Sequence, residues 1–348
     1  MDFEPDIILI SVFNTEIIRD FLEIDLLKSK NIILEDFVNK KRNGIFFHNK
    51  LYNNPLLRLH ITRFILSQIH IALALFLIII SKVLPTPKRL NIINDDLIDR
   101  LKNSYWRYSL SALIFKLEEG YFFNSLNFGY PSMEIGVNDG HTSKIFFKGK
   151  KITVASDPDI SMKIKKDKEV MEIFDEIAKI DAMKEYPFED EYFKDIIMVH
   201  IVDHIKDIDS VFTQINRVMQ KGGNFYFSGY SDEQKGKGLI KNEKANEYSK
   251  GGYNTYNHNE WKEILNKHGF KMINYNYLLC GFMGKFYEKT IFLYHANRRV
   301  LKFFERIPLL NKWYEEMISD FIVPLCERDI QSGKNQKGVH FWIHAQKI

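Results

Sequence analysis

From residue 132 onward the chain alternates short apolar runs with longer amphipathic segments. Apolar runs bounded by turn residues are typical of buried strands, and amphipathic segments between them are typical of helices. The predicted strands are Ser132–Ile135, Ile152–Ser156, Ile196–His200, Asn224–Gly229, Lys271–Leu279 and Val339–Ala345. The predicted helices are Ser161–Ile180, Ile208–Met219 and Asn259–Lys267. This order predicts βαβ units, and therefore an α/β fold with a mostly parallel sheet.

Segment 65–84 is the most apolar part of the chain, with an unbroken apolar centre at Ile71–Ile80. A membrane-spanning helix needs roughly 20 mostly apolar residues, whereas a shorter run fits a buried helix or one lying in a membrane interface. The whole segment is long enough to span a membrane, whereas its unbroken apolar centre is as short as a buried or interfacial helix. Both alternatives therefore stay open. Pro85 and Pro87 are predicted to end the helix.

Two further regions are predicted to be helical and to flank the α/β part. Asn91–Phe123 has helical spacing and indicates a lead-in that packs on the next domain, with a lid over its cleft as the alternative. Tyr287–Cys326 is rich in aromatic and aliphatic residues, which fit a core, a membrane-lying surface or an acceptor pocket. The predicted division of the chain is 1–90, 91–284 and 285–348.

Charge and cysteine content narrow the function classes. The 49 basic and 45 acidic residues leave a net charge of +4 without a basic arm or stripe, so nucleic acid is not implied. Cys280 and Cys326 are the two cysteines, too few for a disulfide framework or a cysteine zinc site, and we expect buried thiols. The N-terminus has acids where a secretory leader needs basic residues. We expect a cytoplasmic protein, or one attached to the cytoplasmic face of a membrane through segment 65–84.

The segment Pro131–Gly140 is the first candidate site. Glu134 lies near the end of a predicted strand, and Gly136, Asn138 and Gly140 follow at every second position. Glycine allows a backbone loop to approach a ligand closely, and asparagine tolerates a left-handed conformation. A dinucleotide loop, G-x-G-x-x-G, needs a small residue where His141 stands, so the spacing favours a G-x-G-x-G loop.

Two acids follow at positions suited to a nucleotide. Asp157 ends the second predicted strand, about 20 residues after the first glycine, where a carboxylate can accept hydrogen bonds from ribose hydroxyls. Asp159 is the alternative for that role, and either acid can instead cap the next helix. Asp181 beside Ala182 can take an exocyclic amine while the neighbouring amide contacts a ring, although alone it would be interpreted as a turn acid.

The segment Phe193–Gly229 resembles class I S-adenosylmethionine-dependent methyltransferases of the type-11 sort. The resemblance rests on a phenylalanine before the strand, on VDHI at Val202–Ile205 and on RVMQKGG at Arg217–Gly223. It covers about Ser132–Leu279 and implies a Rossmann-like, mostly parallel, seven-stranded sheet. Helices would lie on both faces, with N-terminal and C-terminal helical additions over an acceptor cleft.

The resemblance also implies roles for individual residues. Glu134, Gly136 and Gly140, with Asn138 in the same turn, would hold the methionine part of S-adenosylmethionine. Asp157 would bind the ribose, Asp181 and Ala182 the adenine, and His200 would line the methyl-transfer pocket. Three residues depart from the family pattern: Asn138 replaces the middle glycine and is expected to narrow the turn, Lys194 replaces an acid, and Lys221 replaces a proline.

The implied reaction is methyl transfer to a small-molecule, sugar or lipid-linked acceptor, with oxygen as the expected atom. His200 is the candidate base because the unperturbed pKa of histidine lies near neutrality, and His204 and His258 are further candidates. One alternative is a methyltransferase fold that has lost turnover and acts as a binding or scaffold protein at a membrane. Another, a nicotinamide-dependent oxidoreductase, is disfavoured by His141 and by Arg217–Gly223.

Overall fold

The computed structural model describes residues 55–159, 164–232, 254–290, 304–333 and 336–348. Predictions for residues 1–54 and 160–163 lie outside this part. The chain divides into two compact units, residues 1–80 with 292–314 and residues 81–291 with 315–348. The described part of the first unit is helical. The second unit contains the whole sheet and every candidate site residue.

Helix α1, Pro55–Val83, includes most of the apolar segment and ends two residues before Pro85, as the proline pair predicts. In the described part of the chain, no helix combines the length and apolarity needed to cross a membrane.

A seven-stranded sheet forms the centre of the second unit. Its strands are β1 Ser132–Ile135, β2 Ile152–Asp157, β3 Phe174–Lys179, β4 Phe193–Met198, β5 Met219–Tyr230, β6 Phe270–Cys280 and β7 Gly338–Lys347. The strand order is β3-β2-β1-β4-β5-β7-β6. Strands β1 to β5 pair in parallel, and β7 runs antiparallel to both β5 and β6. The predicted α/β fold with a mostly parallel, Rossmann-like sheet is confirmed.

The remaining helices precede, connect or follow these strands. They are α2 Asp95–Lys102, α3 Leu110–Asn124, α4 His141–Phe146, α5 Lys168–Met171, α6 Ile208–Val218, α7 His258–Lys267, α8 Gly281–Thr290, α9 Pro308–Met317 and α10 Val323–Ser332. Short 3₁₀ turns lie at Tyr105–Tyr108, Ile164–Lys166, Val202–His204 and Phe304–Arg306, and a π-helical turn at Ile318–Ile322 joins α9 to α10. The described residues of both flanking regions are largely helical, as predicted.

The two faces of the sheet differ in chemistry. Alternate residues of a strand point to opposite faces, so Phe227 and Phe341 lie with α6 and α7, where they contact Trp261. This face has a core of aliphatic and aromatic side chains. On the opposite face Ser228 and Trp342 meet α3, and several charged side chains are buried there.

One predicted element is wrong. Segment Ser161–Ile180 was expected to be a single helix, but its described residues form a 3₁₀ turn, the four-residue α5 and the strand β3. Strand β3 lies at the edge of the sheet and pairs only with β2. Half of the residues in its sequence FDEIAK are exposed, and it is rich in good helix formers, so local preference favoured a helix while pairing with β2 decided the structure.

Candidate functional site

A crevice forms where the strand order reverses. β1 and β4 are neighbours, and the connections leave them in opposite directions across the sheet. In open α/β sheets such a switch point at the carboxyl ends of the strands is the usual place for a ligand. The two loops meet there, because a Cβ atom added to Gly136 would lie 2.4 Å from Cγ1 of Ile201.

The loop after β1 has left-handed backbone at three alternating positions. The φ angles of Gly136, Asn138 and Gly140 are 81°, 51° and 74°. The Gly136 N–H donates to the Ser156 carbonyl at 2.7 Å, which anchors the loop to β2. Asn138 is exposed and takes the conformation that a glycine would take, so the replacement leaves the turn intact. Ile201 leaves no room for a side chain at Gly136, so the loop presents bare backbone there.

Asp157, at the end of β2, connects the loop to the next strand. Its Oδ2 accepts the Asn138 N–H and its Oδ1 accepts the Asp159 N–H, both at 2.9 Å. A carboxylate has about four acceptor positions, so acceptor capacity remains for hydroxyl donors. Asp159 is exposed and serves here as a donor to Asp157. Asp157, unlike Asp159, therefore lies against the loop after β1 with acceptor capacity to spare.

Asp181 lies close to Asp157. Ile180 donates its N–H to the Asp157 carbonyl at 3.2 Å, which fixes the segment just beyond β3 against the end of β2. The Asp181 carboxylate accepts the Met183 N–H at 3.0 Å and remains about one-third exposed. Ala182 packs against the apolar core. The structure thus brings Asp181 and Ala182 to the same edge of the sheet as Asp157.

Glu134 is enclosed beneath the loop. It is 2% exposed, and its Oε1 accepts the Ser143 hydroxyl of α4 at 2.9 Å. Its Oε2 has no hydrogen-bond partner among the described residues. Burial raises the pKa of Glu134 to about 8, so the free protein holds this carboxyl largely protonated at neutral pH.

His200 follows β4 by two residues and has a left-handed φ of 54°. A left-handed φ is uncommon for residues other than glycine, although histidine adopts it more often than most, and the Ser228 hydroxyl accepts the His200 N–H at 2.9 Å to hold it. The ring packs edge-on against Phe115 and Tyr230. Burial lowers the pKa of His200 to about 4, so the imidazole is neutral at physiological pH.

Side chains that the sequence did not single out surround His200. Glu119 is fully buried and bonded to Ser228, Lys116 is paired with Glu119, Asp203 is 1% exposed and His340 is fully buried. They come from α3, from the turn after β4, from β5 and from β7. The one local clue was the run Lys116–Glu119, because charged residues in an otherwise apolar helix indicate buried polar contacts.

The other two candidate histidines lie in different surroundings. His204 is partly exposed, its Nε2 lies 3.6 Å from Asp203 Oδ2, and burial lowers its pKa. His258 begins α7, where its Nδ1 lies 3.2 Å from Asn259 Oδ1 and its ring packs on Tyr275 of β6. Of the three histidines, His200 is the one bonded to β5, through Ser228. It directly precedes Ile201, the residue that meets Gly136.

The other two residues that depart from the family pattern are Lys194 and Lys221. Lys194 donates from Nζ to the Gly222 carbonyl at 3.2 Å, and so ties β4 to the irregular first part of β5. The neighbouring acid, Asp195, is buried and accepts N–H donors from Gly129 and Asn224. Lys221 is exposed in the same part of β5. None of these residues lies in the crevice loops.

The central part of this sheet matches a known family. Residues 133–227 match the family model described as a methyltransferase domain. The chain therefore contains an S-adenosylmethionine-dependent methyltransferase domain. S-adenosylmethionine, its cofactor, supplies a methyl group on a positively charged sulfur. The left-handed cradle at Gly136 and the acceptor capacity of Asp157 fit such a molecule.

Several solved structures are similar to this methyltransferase. A possible histamine N-methyltransferase from Thermotoga maritima is 17% identical, with a TM-score of 0.44, covering 72% of this chain and 99% of that one. A phosphoethanolamine N-methyltransferase from Haemonchus contortus is 18% identical, with a TM-score of 0.40, covering 72% and 60%. A methyltransferase from Aquifex aeolicus is 13% identical, with a TM-score of 0.38, covering 72% and 97%. These likenesses are too distant to identify an acceptor, and no curated protein matches the chain.

Proposed function

We propose that this methyltransferase transfers the methyl group to an oxygen atom of a small-molecule, sugar or lipid-linked acceptor, with His200 as the base. The observation that carries the proposal is the place of His200, a neutral imidazole on the loop that contacts Gly136. A hydroxyl group must lose its proton as it is methylated, and a neutral imidazole can accept that proton.

The residues after β1, β2 and β3 are proposed to hold the cofactor. The turn from Gly136 to Gly140, with Glu134 beneath it, would take the methionine part. Asp157 would accept the ribose hydroxyls, and Asp181 with Ala182 would contact the adenine. In-line methyl displacement depends mainly on alignment and electrostatics, so a rigid backbone cradle is the expected contribution of this half of the site.

The cofactor assignment is tested by comparing Asp157→Ala with Asp159→Ala. The two carboxylates are two residues apart, but only Asp157 accepts the Asn138 N–H. We expect Asp157→Ala to weaken S-adenosylmethionine binding at least about tenfold in a calorimetric titration, since it removes hydrogen bonds to a charged acceptor. Asp159→Ala should bind nearly normally. The opposite ranking would move the ribose contact to Asp159.

The reaction is tested with labelled cofactor and a host-cell extract separated into lipid and aqueous phases. We expect labelled methyl groups to appear in an acceptor as base-stable methyl ethers, with transfer lost in His200→Gln. Transfer to nitrogen would refute oxygen as the acceptor atom. Full activity of His200→Gln alongside reduced activity of His204→Gln or His258→Gln would assign the base to one of those residues.

We also propose that α1 lies on the cytoplasmic face of a membrane. Leu75, Phe76, Ile79 and Val83 are exposed, and their spacing places them along one side of the helix. Exposed Lys88 follows this apolar stripe, and Lys82, which pairs with Glu316, lies at its end. Apolar residues bordered by lysines suit an interface with anionic lipid headgroups.

Vesicle flotation tests the lipid contact. Wild-type protein should float with phosphatidylcholine vesicles that contain phosphatidylserine, and the double variant Phe76→Glu with Ile79→Glu should remain at the bottom. Phe282→Glu is the control, because Phe282 is 68% exposed on a different helix, α8. Equal flotation of the wild type and the double variant would show that α1 makes no lipid contact.

A further inference from the structure

Two buried carboxylates lie at nearly equal distances from the ring of His200. Oε1 of Glu119 is 3.9 Å from Nδ1, and Oδ2 of Asp203 is 4.0 Å from Nε2. Both distances are too long for a hydrogen bond but short enough for a strong effect of charge. The two carboxylates differ in what else they contact.

Glu119 is already fully engaged. Its Oε1 accepts the Ser228 hydroxyl at 2.7 Å, and its Oε2 pairs with Lys116 Nζ at 2.5 Å. Lys116 therefore compensates the negative charge of Glu119. Through Ser228, which accepts the His200 N–H, Glu119 fixes the backbone of His200 rather than its proton.

Asp203 has no such partners. It is 1% exposed, and neither carboxylate oxygen has a hydrogen-bond partner among the described residues. The ring nitrogens of His200 and His204 lie within ion-pair distance, and burial lowers the pKa of both rings. Burial raises the pKa of Asp203, and the charge of Lys116, which is paired with Glu119, only partly opposes this. A buried carboxylate without an ion-pair partner of its own is costly and needs an explanation. Gly229 makes room for it, since a Cβ there would lie 3.2 Å from Asp203 Oδ1.

We propose that Asp203 is a positioning residue that stabilises the protonated imidazole of His200 during methyl transfer. The inference rests on the proposed function, in which His200 is the base. Transfer to a hydroxyl forms a carbon–oxygen bond, breaks the carbon–sulfur bond with its electron pair left on sulfur, and moves the hydroxyl proton to His200. Only then does the ring carry a positive charge, and Asp203 gains its counter-ion at that moment.

The other groups that face His200 do not provide this charge. They are Lys116 and Glu119 on α3, His204 after β4, Tyr230 on β5, and His340 on β7 with Tyr287 of α8 against it. Lys116 and His204 oppose protonation of His200, and burial keeps His340 neutral. Glu119 is compensated, which leaves Asp203 as the group that favours the imidazolium.

The direct test is an NMR titration of the His200 ring nitrogens in cofactor-free protein, with circular dichroism confirming the fold at each pH. In Asp203→Asn the pKa of His200 should fall further below its wild-type value, because the charge that favours protonation is gone. Asp209→Asn, which removes an exposed carboxylate on α6, should leave the His200 titration unchanged. An unchanged His200 titration in Asp203→Asn would overturn the proposal.

Kinetics supply the second readout. Asp203→Asn should lower kcat on the order of ten- to a hundredfold with little change in KM, since the charge acts only once the proton has moved. Asp203→Glu keeps the charge and should recover much of the rate. In a His200→Gln background the Asp203→Asn substitution should have no further effect, and an additive loss would overturn the proposal. Full activity of His200→Gln alone would instead refute the proposed base, while the titration still reports whether Asp203 and His200 are coupled.

Discussion

The two halves of the crevice are built by different means. The proposed cofactor half relies on main-chain geometry, with left-handed residues at Gly136, Asn138 and Gly140 and N–H groups that reach Asp157. The half around His200 relies on buried side chains, including Lys116, Glu119 and Asp203. The first half leaves no room for a side chain at Gly136, whereas the second contains several buried charged side chains.

This difference follows from what each half must do. A backbone cradle is the same for every reaction that uses one cofactor, so it needs few side chains of defined chemistry. A proton acceptor must have its pKa set by its surroundings, which requires charges held at fixed distances in a low-dielectric site. We therefore expect the cofactor half to fail through steric changes and the His200 half through electrostatic ones.

The largest expected effect is steric, in Gly136→Ala. The added Cβ would lie 2.4 Å from Ile201 at a φ of 81°, so both the conformation and the space oppose it. We expect S-adenosylmethionine binding to become undetectable by calorimetry. Gly149→Ala is the matched control, because Gly149 has a φ of 76° with no atom within 4 Å of the added Cβ. Equal losses in both variants would show that backbone strain alone, and not the contact between the loops, is responsible.

The second prediction concerns the substitution Glu119→Leu, in the half of the crevice around His200. It leaves Lys116 without its carboxylate and the Ser228 hydroxyl without its acceptor, which should cost about 3 kcal/mol of unfolding free energy in urea denaturation. The double variant Lys116→Met with Glu119→Leu should recover part of that loss. Asp209→Ala, which removes an exposed carboxylate that pairs with Lys267 and contacts the His268 ring, should cost less than about 1 kcal/mol. A loss for Glu119→Leu no larger than this control would contradict the buried ion pair.

The third prediction concerns the pH dependence of stability in Glu134→Gln. The folded-state pKa of Glu134 is raised to about 8, so the stability of the wild type is lost as pH rises from about 4.5 through 8. The glutamine stays neutral and can still accept the Ser143 hydroxyl. Between pH 5 and pH 9 the variant should therefore gain on the order of 4 kcal/mol relative to wild type in thermal melts. Glu263→Gln, an exposed site on α7, should show no such trend. Parallel pH curves for wild type and Glu134→Gln would show that the carboxyl is ionised in the fold.

The smallest effect is expected for Asn138→Gly, which restores the family's middle glycine. Asn138 is exposed and already left-handed, so cofactor affinity should change less than about twofold and stability by less than about 1 kcal/mol. Gly140→Asn places the same side chain at a similar φ, but its Cβ would meet Val170 at 2.7 Å, so binding should weaken markedly. A large gain in affinity for Asn138→Gly would mean that asparagine does narrow the turn.

The sequence predicted much of the cofactor half because that half is local. Glu134, the alternating turn and Asp157 lie within one strand–turn–helix–strand unit, where residue type and spacing largely dictate backbone conformation. The order of strands and helices followed from the same local patterns. Edge strand β3 was missed because its residues prefer a helix and only the neighbouring strand makes them extended.

The surroundings of His200 could not be predicted in this way. Lys116 and His340 lie more than two hundred residues apart in the chain, yet both face the same imidazole. The sequence by itself placed a histidine after β4 and a glycine turn after β1. Only the tertiary structure decided which of two equidistant carboxylates was compensated, because the pairing of Glu119 with Lys116 and the enclosure of Asp203 depend on how α3 packs over the sheet.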